Sequence, residues 1–426
     1  MKKTVDVLVQ KYGGTSLQTL ARVRHAALRV AAARRRGASV AVVVSARGGR
    51  TDDLLRLAAD IGATSPSRET DQLLAVGEQE SAALMALSLN RLGVPAISLT
   101  GQQAGIETTD RHGEALISRI GAGRVRAAWD AGQVAVVTGF QGVDRAGDVA
   151  TLGRGGSDTT AVALAARLRA RACEIYTDVD GVFSADPRIL PAARCLPWVH
   201  PGVMAEMAFA GAKVLHTRCI ELAAMEGVEV HVRNVSSQAP GTVVAEPPED
   251  RPLETRRAVV AVTHDTDVAR VLVHCRDSRR DLAPDVLEVL AGQGMVVDLV
   301  ARSGAHESEF RMGFTIRRSQ ADSVRGPLHE VTSAFGGGVH FDENVGKVSV
   351  VGMGLLSRPE YTARLMAALA AAGIPTSWIS TSQMRLSVIV PRERTADAVE
   401  VLHREFHLDR QEPRDVASVT APSAIA

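Results

Sequence analysis

Short apolar runs alternate with longer amphipathic stretches over the first half of the chain. Val5 to Gln10, Ser39 to Val44, Val94 to Leu99, Gln133 to Thr138 and Cys173 to Asp178 are brief, rich in β-branched residues and bounded by glycine or polar turns. Such runs read as buried strands. Between them lie helical stretches: one ending near Arg36 with Gly37 as its stop, one opening at Gly77-Glu78-Gln79-Glu80 and reaching about Leu92, and one from Thr159 to Ala170. Strand and helix in alternation to about residue 235 predict a mainly parallel sheet sandwiched by helices, an α/β domain over residues 1–245. Pro240 to Arg257 is dense in proline and charge and reads as a connection, with the linker proper at 246–257.

Beyond the linker the chain repeats itself. Leu287-Glu288-Val289-Leu290-Ala291-Gly292-Gln293-Gly294 matches Met366 to Gly373 at an offset of 79, and Val300 and Ser303 fall on Ile379 and Ser382. Each copy reads strand, helix, strand and more strand, which predicts two consecutive ferredoxin-like βαββαβ units at 258–340 and 341–416. Residues 417–426 read as a frayed tail.

Two glycine loops carry the candidate chemistry. Lys11-Tyr12-Gly13-Gly14-Thr15-Ser16 follows the first strand. Gly153-Arg154-Gly155-Gly156-Ser157-Asp158 opens the helix from Thr159. A strand, a glycine turn and a helix N-terminus together present free N–H groups and a positive dipole end to an anion. Neither loop has the spacing of a P-loop or of a dinucleotide fingerprint. Polar strand ends at Ser45 to Asp52 and Thr177-Asp178 suit ligand contact in an open α/β sheet.

Composition sharpens this picture. The 426 residues carry a net charge of +1 and only 3% aromatics, so nothing favours nucleic acid, a membrane surface or base stacking. Cys173, Cys195, Cys219 and Cys275 form no CxxC pair and read as reduced core thiols of a cytoplasmic protein. The first strand begins too early for a signal peptide, and no apolar run is long enough to span a bilayer. Lysine occurs five times, at 2, 3, 11, 213 and 347, while arginine supplies the other 44 cations. A lysine inside a motif therefore stands out as a compact point charge, as at Lys11 and Lys213.

In order, KYGGTS, VVVSARGGRTD, VGEQES, LTGQQAGI, TLGRGGSDTTA, YTDVDGVFSADPR and GAKVLH resemble the aspartate kinases of the amino acid kinase superfamily, in which two ACT regulatory units follow the catalytic domain. The resemblance covers about residues 5 to 410. It implies ATP-dependent phosphorylation of the L-aspartate β-carboxylate to 4-phospho-L-aspartate, with Mg2+ accompanying ATP. A carboxylate is already ionised at neutral pH, so no general base is needed; the obstacle is repulsion between two anions. By resemblance, Lys11, Asp158 and Lys213 are catalytic, and Ser45, Thr51, Glu78, Arg154 and Ser157 bind aspartate. Lys11, Gly13, Gly14, Thr177, Asp178, Phe183, Asp186, Arg188 and Lys213 bind ATP. Asp298 and Thr381 are effector candidates for lysine or threonine.

The resemblance further implies a homo-oligomer formed through the ACT units, dimeric in the simplest case. Arg47 and Arg50 depart from the family's substrate loop. Arg280-Asp281, Glu360 and Pro375 depart from its ACT loops, which predicts weak or absent feedback inhibition. Two other readings stay open at this stage: a relative acting on another amino-acid carboxylate, and a non-catalytic ACT-based amino-acid sensor.

Overall fold

The computed structural model describes residues 6–63, 66–247, 258–275, 281–303 and 310–410. They form two compact units. One comprises residues up to 183 and from 195 to 256; the other comprises 184–194 and everything from 257 onward. The expected tail and most of the expected linker lie outside the described residues.

In the first unit the strands are β1 (Val7–Tyr12), β2 (Ser39–Val44), β3 (Ala96–Leu99), β4 (Ile106–Thr108), β5 (Ile117–Ile120), β6 (Val134–Thr138), β7 (Gln141–Val143), β8 (Val149–Thr151), β9 (Ala172–Thr177), β10 (Trp198–Val199), β11 (Val230–Asn234) and β12 (Thr242–Val244). The helices are α1 (Leu20–Arg35), α2 (Arg50–Asp60), α3 (Arg68–Arg91), α4 (Gly123–Asp130), α5 (Gly156–Leu168), α6 (Pro201–Phe209) and α7 (Thr217–Glu226). An eight-stranded sheet runs in the order β10-β12-β11-β9-β1-β2-β6-β3. Its pairings are parallel except for β11 with β12. All residues of β1 and β6 are buried, as expected for strands covered on both faces. A four-stranded sheet, β5-β4-β7-β8, is formed by strands interleaved in sequence with those of the main sheet.

Two details change here. Thr242–Val244, at the start of the proline- and charge-rich connection, is a strand of the main sheet. Its Thr242 hydroxyl donates to Leu196 O at 2.6 Å and accepts the Val182 amide at 2.8 Å, so β-branched packing and hydrogen bonding outweigh the adjacent proline and glycine. The second helix starts nine residues before Gly77, at Arg68, with the Ser67 hydroxyl accepting the Thr70 amide as its cap.

The second unit contains β13 (Val259–Asp265), β14 (Val268–Cys275), α8 (Ala283–Gly292), β15 (Asp298–Ser303), β16 (Phe310–Arg317), α9 (Ala321–Ser333), β17 (Gly338–Asp342), β18 (Val345–Gly352), α10 (Pro359–Ala371), β19 (Ile379–Thr381), β20 (Arg385–Pro391) and α11 (Thr395–Glu405). Two antiparallel sheets result, β15-β16-β14-β17 and β13-β18-β20-β19. The repeats are therefore not consecutive. The segment β14 to β17 is a complete βαββαβ unit, whereas β13, ahead of it in the chain, pairs with β18 and completes the sheet of the later repeat. The first repeat is inserted into the second.

Residues 184–194 pack with this unit. Ala185 and Leu190 join its apolar core, and the Ser184 hydroxyl lies 2.9 Å from Nε2 of the buried His403.

Candidate active site

Lys11 sits near the end of β1 and points to the sheet face opposite Gln10 and Tyr12. There its Nζ meets Asp158 Oδ1 at 2.5 Å. Asp158 lies in the first turn of α5, whose N-cap is Gly155 at φ 72°. A side chain at Gly155 would be strained by that dihedral and would also collide with His216, 2.4 Å away. Gly14 is needed for close approach, because a Cβ there would stand 2.8 Å from Ala46 O. The lysine loop thus packs directly on the loop after β2.

That second loop is held by α3. Glu78 is buried, three turns into the helix, so it does not cap a helix N-terminus. Its Oε1 accepts the Ala46 amide at 2.9 Å, while Oε2 is buried with no hydrogen-bond partner. Burial pushes the Glu78 carboxyl up from 4.5 to about 7, against the opposing pull of the Ala46 amide. Gly77 lets α3 approach: a Cβ there would lie 2.8 Å from that of Ala46. Arg47 and Arg50 both turn to Glu80, at 2.5 Å and 3.5 Å. The two departures in the substrate loop thus share one helix carboxylate, which offsets one of the two added charges.

A cavity of about 640 Å3 opens among these elements. It is lined by Lys11, Gly14, Ser45, Thr51, Glu78, Arg154, Ser157 and Asp158. All five residues expected to bind the amino acid therefore share one space with the Lys11–Asp158 pair. Sequence reading missed Asp71, Thr151 and Phe140, which line it too. Phe140 adopts φ 67°, a left-handed conformation that a bulky side chain rarely takes. For Asp71 a signal existed: it stands seven residues before Glu78, on the same helix face.

The other expected residues lie elsewhere. Gly13 donates its amide to Tyr176 O at 3.2 Å, joining the lysine loop to the end of β9, where Thr177 and Asp178 follow. Asn234, at the end of β11, donates to Asp180 Oδ1 at 2.8 Å and steadies the bend that follows β9. Lys213 is exposed on the connection between α6 and α7. Asp186 and Arg188 belong to the segment that packs with the second unit, where the guanidinium grips the carboxylate at 2.7 Å. In the second unit, Thr381 is exposed. Asp298 is held by Lys347 and Arg385, each at 2.9 Å. Burial opposes its ionisation, but the Arg385 hydrogen bonds and the Lys347 charge prevail and bring it down to about 2.

Comparison with known proteins now decides the family. Residues 6–234 match the amino acid kinase family and 348–406 match an ACT domain. An aspartokinase of Mycolicibacterium smegmatis is 44% identical over 94% of this chain and 96% of its own length. One from Thermus thermophilus is 41% identical over 95% and 99%. The crystal structure of E. coli aspartokinase III in complex with aspartate and ADP superposes with a TM-score of 0.78 at 25% identity, over 94% of this chain and 99% of that one.

The chain belongs to the aspartokinase family. Its activity is phosphorylation of L-aspartate by ATP, and its fold is the amino acid kinase α/β domain followed by ACT regulatory structure. Among the described residues no helix is long and apolar enough to cross a membrane.

Proposed function

We propose that the cavity is the aspartate and phosphoryl-transfer site of this aspartokinase. The observation that carries the reading is the convergence of Ser45, Thr51, Glu78, Arg154 and Ser157 on one space with Lys11 and Asp158. Arg154 takes the substrate α-carboxylate with its guanidinium fork, and Glu78 takes the α-ammonium. Ser45, Thr51 and Ser157 supply neutral hydrogen bonds. A β-carboxylate oxygen then attacks the γ-phosphorus of ATP; the new O–P bond forms as the bond to the β,γ-bridging oxygen breaks, and ADP leaves. Lys11, with the Gly13 and Gly14 amides and the α5 N-terminus, stabilises charge on the moving phosphoryl group. Asp158 holds the Lys11 ammonium in place. Thr177, Asp178 and Phe183 face the nucleotide, and Lys213 reaches its phosphates.

Among the described residues no group of three or more His, Cys, Asp or Glu side chains could cage an ion. Asp158, which lines the cavity, is the carboxylate that would stand nearest a Mg2+ brought in with ATP. Such an ion would supply neutralisation of phosphate charge.

Feedback control is weak or absent in this reading. Asp281, where an effector carboxylate would approach, accepts the Ala283 amide at 3.0 Å and pairs with Arg302 at 2.8 Å. Asp298 is saturated by Lys347 and Arg385. An effector would have to displace internal partners, and allosteric coupling is typically only about 1–3 kcal/mol. The ACT units then serve assembly into a homodimer, in a cytoplasmic enzyme.

The test is an ADP-release assay with L-aspartate, L-glutamate and N-acetyl-L-aspartate, repeated with lysine, threonine and both. Turnover is expected with aspartate alone and is unaffected by either amino acid. Comparable turnover of N-acetyl-aspartate would remove the role given to Glu78, and strong sub-millimolar inhibition would remove the reading of the ACT loops.

A further inference from the structure

Asp71 is 1% exposed, on the α3 face that carries Glu78 two turns later. Its carboxylate accepts the Thr151 hydroxyl at 2.5 Å, the Thr151 amide at 2.9 Å and the Gly113 amide at 3.0 Å; His112 Nδ1 lies 3.0 Å away. From the other side comes Arg218, in the first turn of α7. Its guanidinium donates to Leu152 O at 2.7 Å and to Ala115 O at 2.9 Å. The two stretches so gripped are themselves joined, Ala115 N to Thr151 O at 2.9 Å. They meet so closely that a Cβ on Gly153 would stand 2.9 Å from Gly113 O.

One buried carboxylate therefore collects amides and one half-buried guanidinium collects carbonyls, on the same pair of loop segments. Burial depresses the basicity of Arg218, so holding a charge there is costly unless it is hydrogen-bonded. Apolar side chains could fill the same volume without that cost, but they could not fix backbone groups in register. Arg154 is the next side chain after this gripped backbone.

We propose that Asp71 and Arg218 form a polar clasp of positioning residues that places the Gly153–Arg154 loop and thereby sets affinity for the amino-acid substrate. This rests on the reading of Arg154 as the aspartate ligand. The clasp acts on the amino-acid side of the site, so its loss separates the two substrates kinetically.

The experiment is steady-state kinetics on Asp71→Ala, Asp71→Asn, Arg218→Lys and, as control, Arg154→Ala, with circular dichroism to establish folding. Asp71→Ala orphans the buried Thr151 amide and hydroxyl and the half-buried Gly113 amide, and should raise KM for aspartate on the order of tenfold or more, with KM for ATP within about twofold. Asp71→Asn still offers an oxygen to those amides and should recover most of that loss. Arg218→Lys, reaching one carbonyl instead of two, should fall between. If Asp71→Ala does not fold, Thr151→Val removes the hydroxyl contact alone and should raise KM for aspartate severalfold. A folded Asp71→Ala enzyme with unchanged aspartate KM, or with both KM values raised equally, overturns the clasp. An Arg154→Ala enzyme with normal aspartate KM overturns the underlying ligand reading instead.

Discussion

At the scale of the residue, Glu78 shows how a site can be prepared for a charge it does not yet hold. Its buried Oε2 lacks a partner, and desolvation holds the carboxyl near a pKa of about 7. A substrate ammonium would supply the missing partner and restore the ionised form. Aspartate itself does not titrate between about pH 6 and 8. KM for aspartate should therefore climb as pH falls below about 7, approaching tenfold per unit, while Glu78→Gln should show a high KM that is flat across that range. A flat wild-type profile would count against the ammonium contact. The stability linkage has the opposite sense. A carboxyl whose folded pKa is raised stabilises the fold only where it keeps its proton; that contribution is lost as pH rises through about 7. The displacement from 4.5 to about 7 corresponds to about 3 kcal/mol. Glu78→Gln should thus melt higher than wild type at about pH 8, and the gain should vanish near pH 4. Residue types at this site were legible in the sequence, because lysine is so rare that Lys11 stands out. The setting of Glu78 was not: Gly77 looked like a helix start, whereas it is the small residue that lets α3 touch Ala46.

At the scale of the element, continuous apolar strands such as β2 and β6 were readable because burial on both faces leaves a run with no alternation. The partner of β13 was not readable. Its sequence suits any half-buried strand, and the choice of β18 over β14 is made by a long-range register that begins Val259 with Gly352. The most demanding element contact in the second unit joins β15 to β18 and β20 through Asp298, Lys347 and Arg385. The Lys347 side chain is 6% exposed. Removing one member of a buried ion cluster costs about 3–5 kcal/mol, because the remaining charge loses its compensation. Asp298→Ala should therefore lower the melting transition of this unit markedly, and Asp298→Asn by less. Because Asp298 is held at about 2, its contribution is present above the usual carboxylate range and disappears as pH falls through about 2. The acid limb of the wild-type stability curve should flatten in Asp298→Ala. Identical acid limbs in the two proteins would show that the cluster contributes nothing.

At the scale of the whole molecule, the two units are not two consecutive lengths of chain. Residues 184–194 leave the kinase domain after Phe183, pack with the regulatory unit and return at Cys195. The Ser184–His403 contact spans 219 positions, which no local pattern announces; in sequence the segment reads only as a charged loop. Its physical weight is considerable. Leu190 and Ala185 are 9% and 4% exposed within the core of the unit, and burying a leucine is worth roughly 1.5–3 kcal/mol. The Ser184–His403 hydrogen bond adds about 1 kcal/mol, and its loss would leave a buried imidazole unsatisfied. A regulatory fragment that starts at Arg257 lacks all of this. It should be less stable than the same unit in the full chain by about 3–5 kcal/mol, a drop in Tm on the order of 10 °C. Fusing residues 184–194 to the fragment through a flexible linker should restore much of the difference, and the same fusion carrying Leu190→Asp should not. The comparison is made by following melting of the fragment, both fusions and the full chain at one pH. A bare fragment as stable as the unit in the full chain would mean that the segment merely rests on the regulatory core and is not part of it.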